Sequence, residues 1–262
     1  MITYNKIGLN GRFGNQLFQY ATLYAVSKTV KCDFGVPYSS KSNNEYSKFC
    51  LPECFPNLSA KDSGNSNMLY TLQERGFKYD DSIFSVPDNT DINGYFQSEK
   101  YFVDYKDKIL IEYAFNKQIQ QKAFKIRSLT KSQVISIHLR LGDYLNLQDC
   151  HPVCSVKYYQ ESLSMFPDDL LIYVFSDDLE KAKEFFNFMN RDVVFVEGGD
   201  KYVEMCLMSL CDYHIIANSS FSWWGAWLSN SKKTIAPARW FGDSIKVPQD
   251  WSDIYCQNWS VV

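Results

Sequence analysis

From residue 134 to residue 236, short apolar runs alternate with amphipathic stretches at even intervals, and few folds accept that rhythm. The runs at 134–140, 170–175, 193–196, 213–217 and 233–236 read as strands. The stretches at 156–166, 179–189, 202–210 and 222–229 read as helices. Repeated strand and helix with short connections predicts a parallel, Rossmann-like sheet. In such a sheet every strand ends on the same edge, and ligands bind there. The residues just after each strand are therefore where chemistry is expected.

The first half follows the same grammar less clearly. Residues 4–10 read as a strand, Gly11 to Gln16 as a turn, and 17–29 as a helix with apolar Leu17, Phe18, Ala21, Tyr24 and Ala25 on one face. A strand at 31–36 could return in parallel. Between 37 and 68 the composition is polar and proline-bearing, which predicts loops and short helices. Residues 91–96 resemble a strand end followed by a helical turn at 98–102, and 115–129 a helix closing at Thr130-Lys131-Ser132. That closure predicts two domains, 1–130 and 131–262. The sequence shows no internal repeat and no low-complexity tract.

Composition excludes some partners. Hydrophobic residues make up 45% of the chain, enough for a sizeable core, and the formal net charge of −3 offers no broad basic field for nucleic acid. An anionic ligand must then be met by a local site. No signal peptide is visible at the start, and no apolar run approaches the roughly 20 residues needed to span a bilayer. The eight cysteines are therefore expected to be mostly reduced and buried. Cys150-His151-Pro152-Val153-Cys154 comes nearest to a metal site, but it lacks the usual ligand spacing.

Three strand ends carry candidate chemistry. The first delivers His138, Arg140, Asp143 and Tyr144. A guanidinium at a strand's C-terminal end suits a phosphate or carboxylate, which it grips with a rigid fork of donors. The second delivers Ser176, Asp177 and Asp178, where one aspartate is read as a helix cap and the other as a ligand contact. The third delivers Asn218, Ser219, Ser220 and Ser222 at a strand-to-helix turn, which reads either as plain capping or as an anion site. With Arg140 on a neighbouring strand end, a shared phosphate is the favoured reading. His138 contacts the ligand or orients Arg140, and His214 and Trp223-Trp224 read as core. In the first half, Gly14, Asn15 and Gln16 form either a plain turn or part of a site. The Gly11–Gln16 stretch is neither a Walker loop nor a dinucleotide fingerprint.

These blocks together resemble glycosyltransferase family 11, in its bacterial α-1,2-fucosyltransferase form, over nearly the whole chain. Gly11-Arg-Phe-Gly-Asn-Gln-Leu-Phe-Gln-Tyr-Ala21, His138-Leu-Arg-Leu-Gly-Asp-Tyr144, Ser176-Asp-Asp178 and Asn218-Ser-Ser-Phe-Ser-Trp-Trp-Gly225 match four family blocks in order. One departure stands out. The family pattern is His-x-Arg-Arg-Gly-Asp-Tyr, and the second arginine is Leu141 here. Lys157 is a loose candidate to replace it.

The resemblance implies an α/β, GT-B-like fold of two Rossmann-like domains with parallel sheets facing across a cleft. The acceptor side belongs to 1–130, with Gly14, Asn15 and Gln16, and GDP-fucose binding to 131–262. It implies transfer of L-fucose from GDP-β-L-fucose to the 2-hydroxyl of a galactose-terminated glycan, with inversion and with no cofactor or essential metal. Arg140 and Asp143 are the expected catalytic residues. His138, Arg140, Asp177, Asp178, Asn218, Ser219, Ser220 and Ser222 are the expected donor contacts. A cytoplasmic protein, peripheral at the inner membrane face and without a transmembrane segment, is the matching location. The competing readings are a transferase for another nucleotide sugar, a non-catalytic glycan or nucleotide binder, and a metal-dependent enzyme at Asp177/Asp178. Asp143, Asp149 and His151 are the candidates for a base.

Overall fold

The computed structural model describes residues 1–38, 48–64, 66–245 and 250–262. The chain divides into two compact units, each built on its own parallel sheet.

The first unit comprises β1 (Ile2–Thr3), α1 (Phe13–Thr29), β2 (Phe34–Val36), β3 (Lys61–Asp62), β4 (Tyr70–Gln73), β5 (Thr90–Asn93) and α2 (Lys106–Glu112). Its strands pair in the order β3-β2-β1-β5-β4, all in parallel. Helix α1 is buried along most of its length, and an aromatic cluster packs at its side, with Phe55 against Tyr113 at 5.0 Å and against Phe115 at 4.8 Å between ring centres. The helix begins at Phe13, four residues before the expected start at 17. The Asn15 and Gln16 amides already donate to the Arg12 carbonyl, so Gly14, Asn15 and Gln16 are helical and not a turn. Gly11 ahead of it adopts φ +94°, a left-handed conformation that glycine takes at no steric cost. The expected loops at 37–68 hold a helical turn at Leu51–Glu53 and the short strand β3, while 39–47 and 65 fall outside the described residues.

The second unit comprises α3 (Lys117–Arg127), β6 (Val134–Leu139), α4 (Val156–Leu163), β7 (Leu171–Ser176), α5 (Leu179–Phe185), β8 (Val193–Phe195), α6 (Lys201–Ser209), β9 (Tyr213–Ile215), α7 (Ser220–Trp227), β10 (Lys233–Ala236) and β11 (Ser260–Val261). The order is β11-β10-β9-β6-β7-β8, and every pairing is parallel. Every residue of β6, an inner strand of that sheet, is buried, which is why it reads as an unbroken apolar run. Its core gathers Ile135, Ile137, Leu139, Ile172, Val174 and Ile215. Trp223 and Trp224 are fully buried, as expected of core residues. His214 is a satisfied core histidine, with Nδ1 2.6 Å from the Ser136 hydroxyl and Nε2 2.8 Å from that of Ser229.

The division falls between Asn116 and Lys117, one helix earlier than the 130/131 boundary read from the sequence. Arg127 at the end of α3 explains the shift. Its guanidinium donates to the Leu210 carbonyl at 3.2 Å and to Asp212 at 3.1 Å, which ties α3 to the second unit. Residues 250–256 belong to the first unit. There Asp253 accepts the Tyr79 amide at 2.8 Å and pairs with Lys100, and Asp250 pairs with Lys78 at 3.1 Å. None of the eight cysteines takes part in a disulfide. Among the described residues no helix is long and apolar enough to cross a membrane.

Candidate active site

Strand register builds the centre of the site. Leu139 of β6 lies opposite Ser176 of β7, so the next residues, Arg140 and Asp177, leave the sheet side by side. Arg140 Nη1 lies 2.9 Å from Asp177 Oδ2, and Nη2 is bonded to Asp143 Oδ1. The other Asp177 oxygen accepts the Leu141 amide at 2.9 Å. The Arg140 guanidinium carbon sits 5.4 Å from the Tyr144 ring centre, a cation–π contact. Its side chain is 20% exposed, and Asp177 and Asp143 each engage one of its two terminal nitrogens. Gly142 fits this geometry because a Cβ there would collide with the Asp177 carboxylate.

Leu141 points the other way. It is 3% exposed and belongs to the apolar core of the second unit. The chain places an apolar core side chain where the family has its second arginine. Lys157 lies on the outer face of α4, paired with Glu161 at 3.6 Å.

His138 is also buried. Burial, with a smaller contribution from the Arg140 charge, depresses its pKa to about 3, so the imidazole is neutral at pH 7. Its ring packs 5.6 Å from that of Phe221, and its Nδ1 has no hydrogen-bond partner among the described residues.

The 218–222 turn stands beside this centre, because the Tyr144 hydroxyl donates to the Asn218 carbonyl at 3.1 Å. Two of its expected donor contacts have partners within the protein. The Asn218 amide donates to the Pro152 and Trp240 carbonyls, each at 2.9 Å, and its oxygen accepts from the Cys154 thiol at 3.5 Å. Ser222 turns its hydroxyl back to the Ala217 and Ser219 carbonyls at 3.4 and 3.3 Å. Ser219 caps α7 by accepting the Phe221 amide at 3.3 Å, and partly exposed Ser220 opens the helix. What this turn offers an anion is the helix N-terminus with its backbone amides.

The second strand end splits as expected in one half. Asp178 caps α5 through the Lys181 amide and pairs with the Lys181 ammonium at 2.7 Å. Asp177 holds Arg140 and the Leu141 amide. Of the base candidates, Asp149 uses its carbonyl to accept the Ser244 amide and hydroxyl, at 3.0 and 2.8 Å. His151 stacks on Tyr144 at 4.9 Å, and burial lowers its pKa. Cys150 faces the Ser244 hydroxyl and Cys154 faces Asn218, so the two thiols do not converge. Among the described residues no group of three metal-ligating side chains is placed to hold an ion.

In the first unit, Gly14, Asn15 and Gln16 form the opening turn of α1. Gln16 is buried and ties down a loop: its amide donates to the Lys48 carbonyl at 2.9 Å and its oxygen accepts the Cys50 amide at 2.9 Å. Asn15 accepts from the Gln97 amide at 2.8 Å. The same unit holds an open pocket of about 1110 Å³, walled by Tyr70, Phe77, Tyr79, Phe96 and Tyr101, with Glu74 at its side. Burial lifts the Glu74 carboxyl to about 7 although it accepts the Tyr95 and Phe96 amides.

Two supports of the site were not legible in the sequence. The Tyr159 hydroxyl donates to the His138 carbonyl at 2.8 Å, and that of Tyr158 to the Ile216 carbonyl at 2.7 Å. Both tyrosines sit in the first turn of α4 and fasten strand ends that carry the site. Their adjacency soon after the Arg140 loop was the available signal.

Comparison with known proteins gives the family and the fold. The Glycosyl transferase family 11 profile matches residues 1–262. The chain is 33% identical to an alpha-1,2-colitosyltransferase of Escherichia coli, across 89% of this chain and 91% of that one. It is 23% identical to a galactoside 2-alpha-L-fucosyltransferase of Bos taurus, across 85% of this chain and 64% of that one. The crystal structure of NodZ alpha-1,6-fucosyltransferase soaked with GDP-fucose superposes with a TM-score of 0.56, covering 87% of this chain and 92% of that one at 12% identity. The shared fold is α/β and GT-B-like, with two parallel sheets.

Proposed function

The chain belongs to glycosyl transferase family 11, and from that premise we propose that it moves L-fucose from GDP-β-L-fucose to the 2-hydroxyl of a terminal galactoside, with inversion and an α-1,2 linkage. The observation that carries the proposal is the part-exposed Arg140 side chain at the C-terminal edge of the second sheet, linked through Tyr144 to the turn that leads into α7. Transfer from a nucleotide sugar leaves a diphosphate, and negative charge grows on its β-phosphate as the sugar gains oxocarbenium character. Fixed donors aimed at that charge lower the barrier. Arg140 supplies a planar, permanently charged fork, and α7 supplies oriented amides. In this reading no essential metal is needed, and turnover persists in excess EDTA.

The relatives' names support a deoxyhexosyl donor and a galactoside acceptor. The aromatic walls of the first unit's pocket suit the apolar faces of sugar rings, and Glu74 suits their hydroxyls. A second reading keeps the chemistry and changes the sugar: identity to the colitosyltransferase favours a colitosyl donor. An acceptor screen over galactosides, with GDP-fucose and GDP-colitose in competition and linkage analysis of the product, separates the two. An α-1,2-fucosyl galactoside is the expected product. Preference for the colitosyl donor transfers the assignment to the second reading, and absence of transfer from either donor overturns both.

A further inference from the structure

Arg140 carries two carboxylates, and their surroundings differ. Asp177 extends from a neighbouring strand end, with one oxygen on Arg140 Nη1 and the other on the Leu141 amide, both at 2.9 Å. Its carboxylate fills the space that a side chain at residue 142 would need. Swinging Asp177 away would leave a backbone amide without its acceptor. Asp143 lies three residues from Arg140, within the helical turn Gly142–Asn146, and its side chain is 36% exposed against 25% for Asp177. An ion pair that open exchanges partners readily.

The charges sharpen the contrast. One guanidinium with two carboxylates sums to −1, which repels an anionic donor. A diphosphate brings more charge than a carboxylate and accepts from the fork through more than one oxygen. It can therefore replace one carboxylate. We propose that Asp177 is a positioning residue that fixes the Arg140 guanidinium, and that Asp143 is a placeholder that cedes Nη2 to the diphosphate of an incoming nucleotide. The inference rests on the nucleotide-sugar reading of the site and gives two neighbouring acids effects of opposite sign.

Calorimetric titration of the full-length protein with GDP tests it. Asp177→Asn weakens GDP binding by about tenfold or more, the usual scale for losing a hydrogen bond to a charged group. Asp143→Asn tightens binding about two- to fivefold, as expected when an exposed competing ion pair is removed. Gly142→Ala, which pushes the Asp177 carboxylate aside, weakens binding like Asp177→Asn and serves in its place if that variant does not fold. In an Arg140→Lys background, Asp177→Asn changes the affinity little, because the fork it holds is gone. A purely electrostatic role would tighten binding in both aspartate variants, and that result overturns the inference. So does a variant at Asp177 that lowers the melting temperature but binds GDP with wild-type affinity. If the wild type binds no GDP, the functional reading falls and this inference falls with it.

Discussion

Leu141 stands where the family pattern has its second arginine, and its burial in the core of the second unit shows why an apolar side chain belongs there. An arginine at that position would carry an unpaired charge into Ile- and Leu-lined space. Leu141→Arg is therefore expected to cost about 3–5 kcal/mol of stability, the scale of an uncompensated buried charge, and to leave turnover no higher. A urea melt alongside an activity assay checks both. The buried histidines set a pH dependence. Burial lowers both His138 and His214 from 6.5 to about 3 in the folded chain. Below pH 6.5 the unfolded chain takes up protons that the folded chain refuses. Their contribution to stability is thus full above 6.5 and is lost as pH falls toward 3, by up to about 1.4 kcal/mol per histidine per pH unit. Urea midpoints at pH 7, 6 and 5 should fall in that order.

The elements show what a sequence can and cannot disclose. Helix α1 starts four residues before the expected Leu17, and Gln16, inside its first turn, fastens the 48–50 loop. Gln16→Ala leaves the Cys50 amide and the Lys48 carbonyl without these partners. It is expected to cost about 1–3 kcal/mol and to speed amide exchange at Cys50, measurable by hydrogen exchange with mass spectrometry. That helix start was hidden because Arg12 at its N-cap makes no side-chain capping bond, so no capping signature marks it. Strands β6, β7, β9 and β10 were legible because burial on both faces writes them as apolar runs. Strand β3 is two exposed, charged residues and β4 is largely exposed, so neither has such a run. In the site, Arg140 was legible from its place after a strand. Its partnership with Asp177 depends on the register of β6 and β7, which no local pattern encodes. Asn218 and Ser222 were the right residue types for a ligand. Within the protein they bond Pro152 and Trp240, which lie far along the chain, and carbonyls of the turn itself, none of which a local pattern encodes.

At the scale of the whole molecule, the chain is two α/β units, each with its own parallel sheet, divided between Asn116 and Lys117, with 250–256 returning to the first. That return is invisible in composition, because only specific pairs such as Asp253 with Lys100 and with the Tyr79 amide assign it. The parallel α/β architecture was legible because strand and helix alternate along the chain, whereas the GT-B-like class came with the resemblance to glycosyltransferase family 11. The proposed transfer turns on one group, the Arg140 guanidinium, meeting the charge that develops on the leaving diphosphate. Its most direct test is the turnover of purified, folded Arg140→Ala against wild type, with GDP-fucose and a galactoside acceptor. The account predicts a loss of about 10²–10³-fold or more. Turnover close to that of the wild type would contradict it.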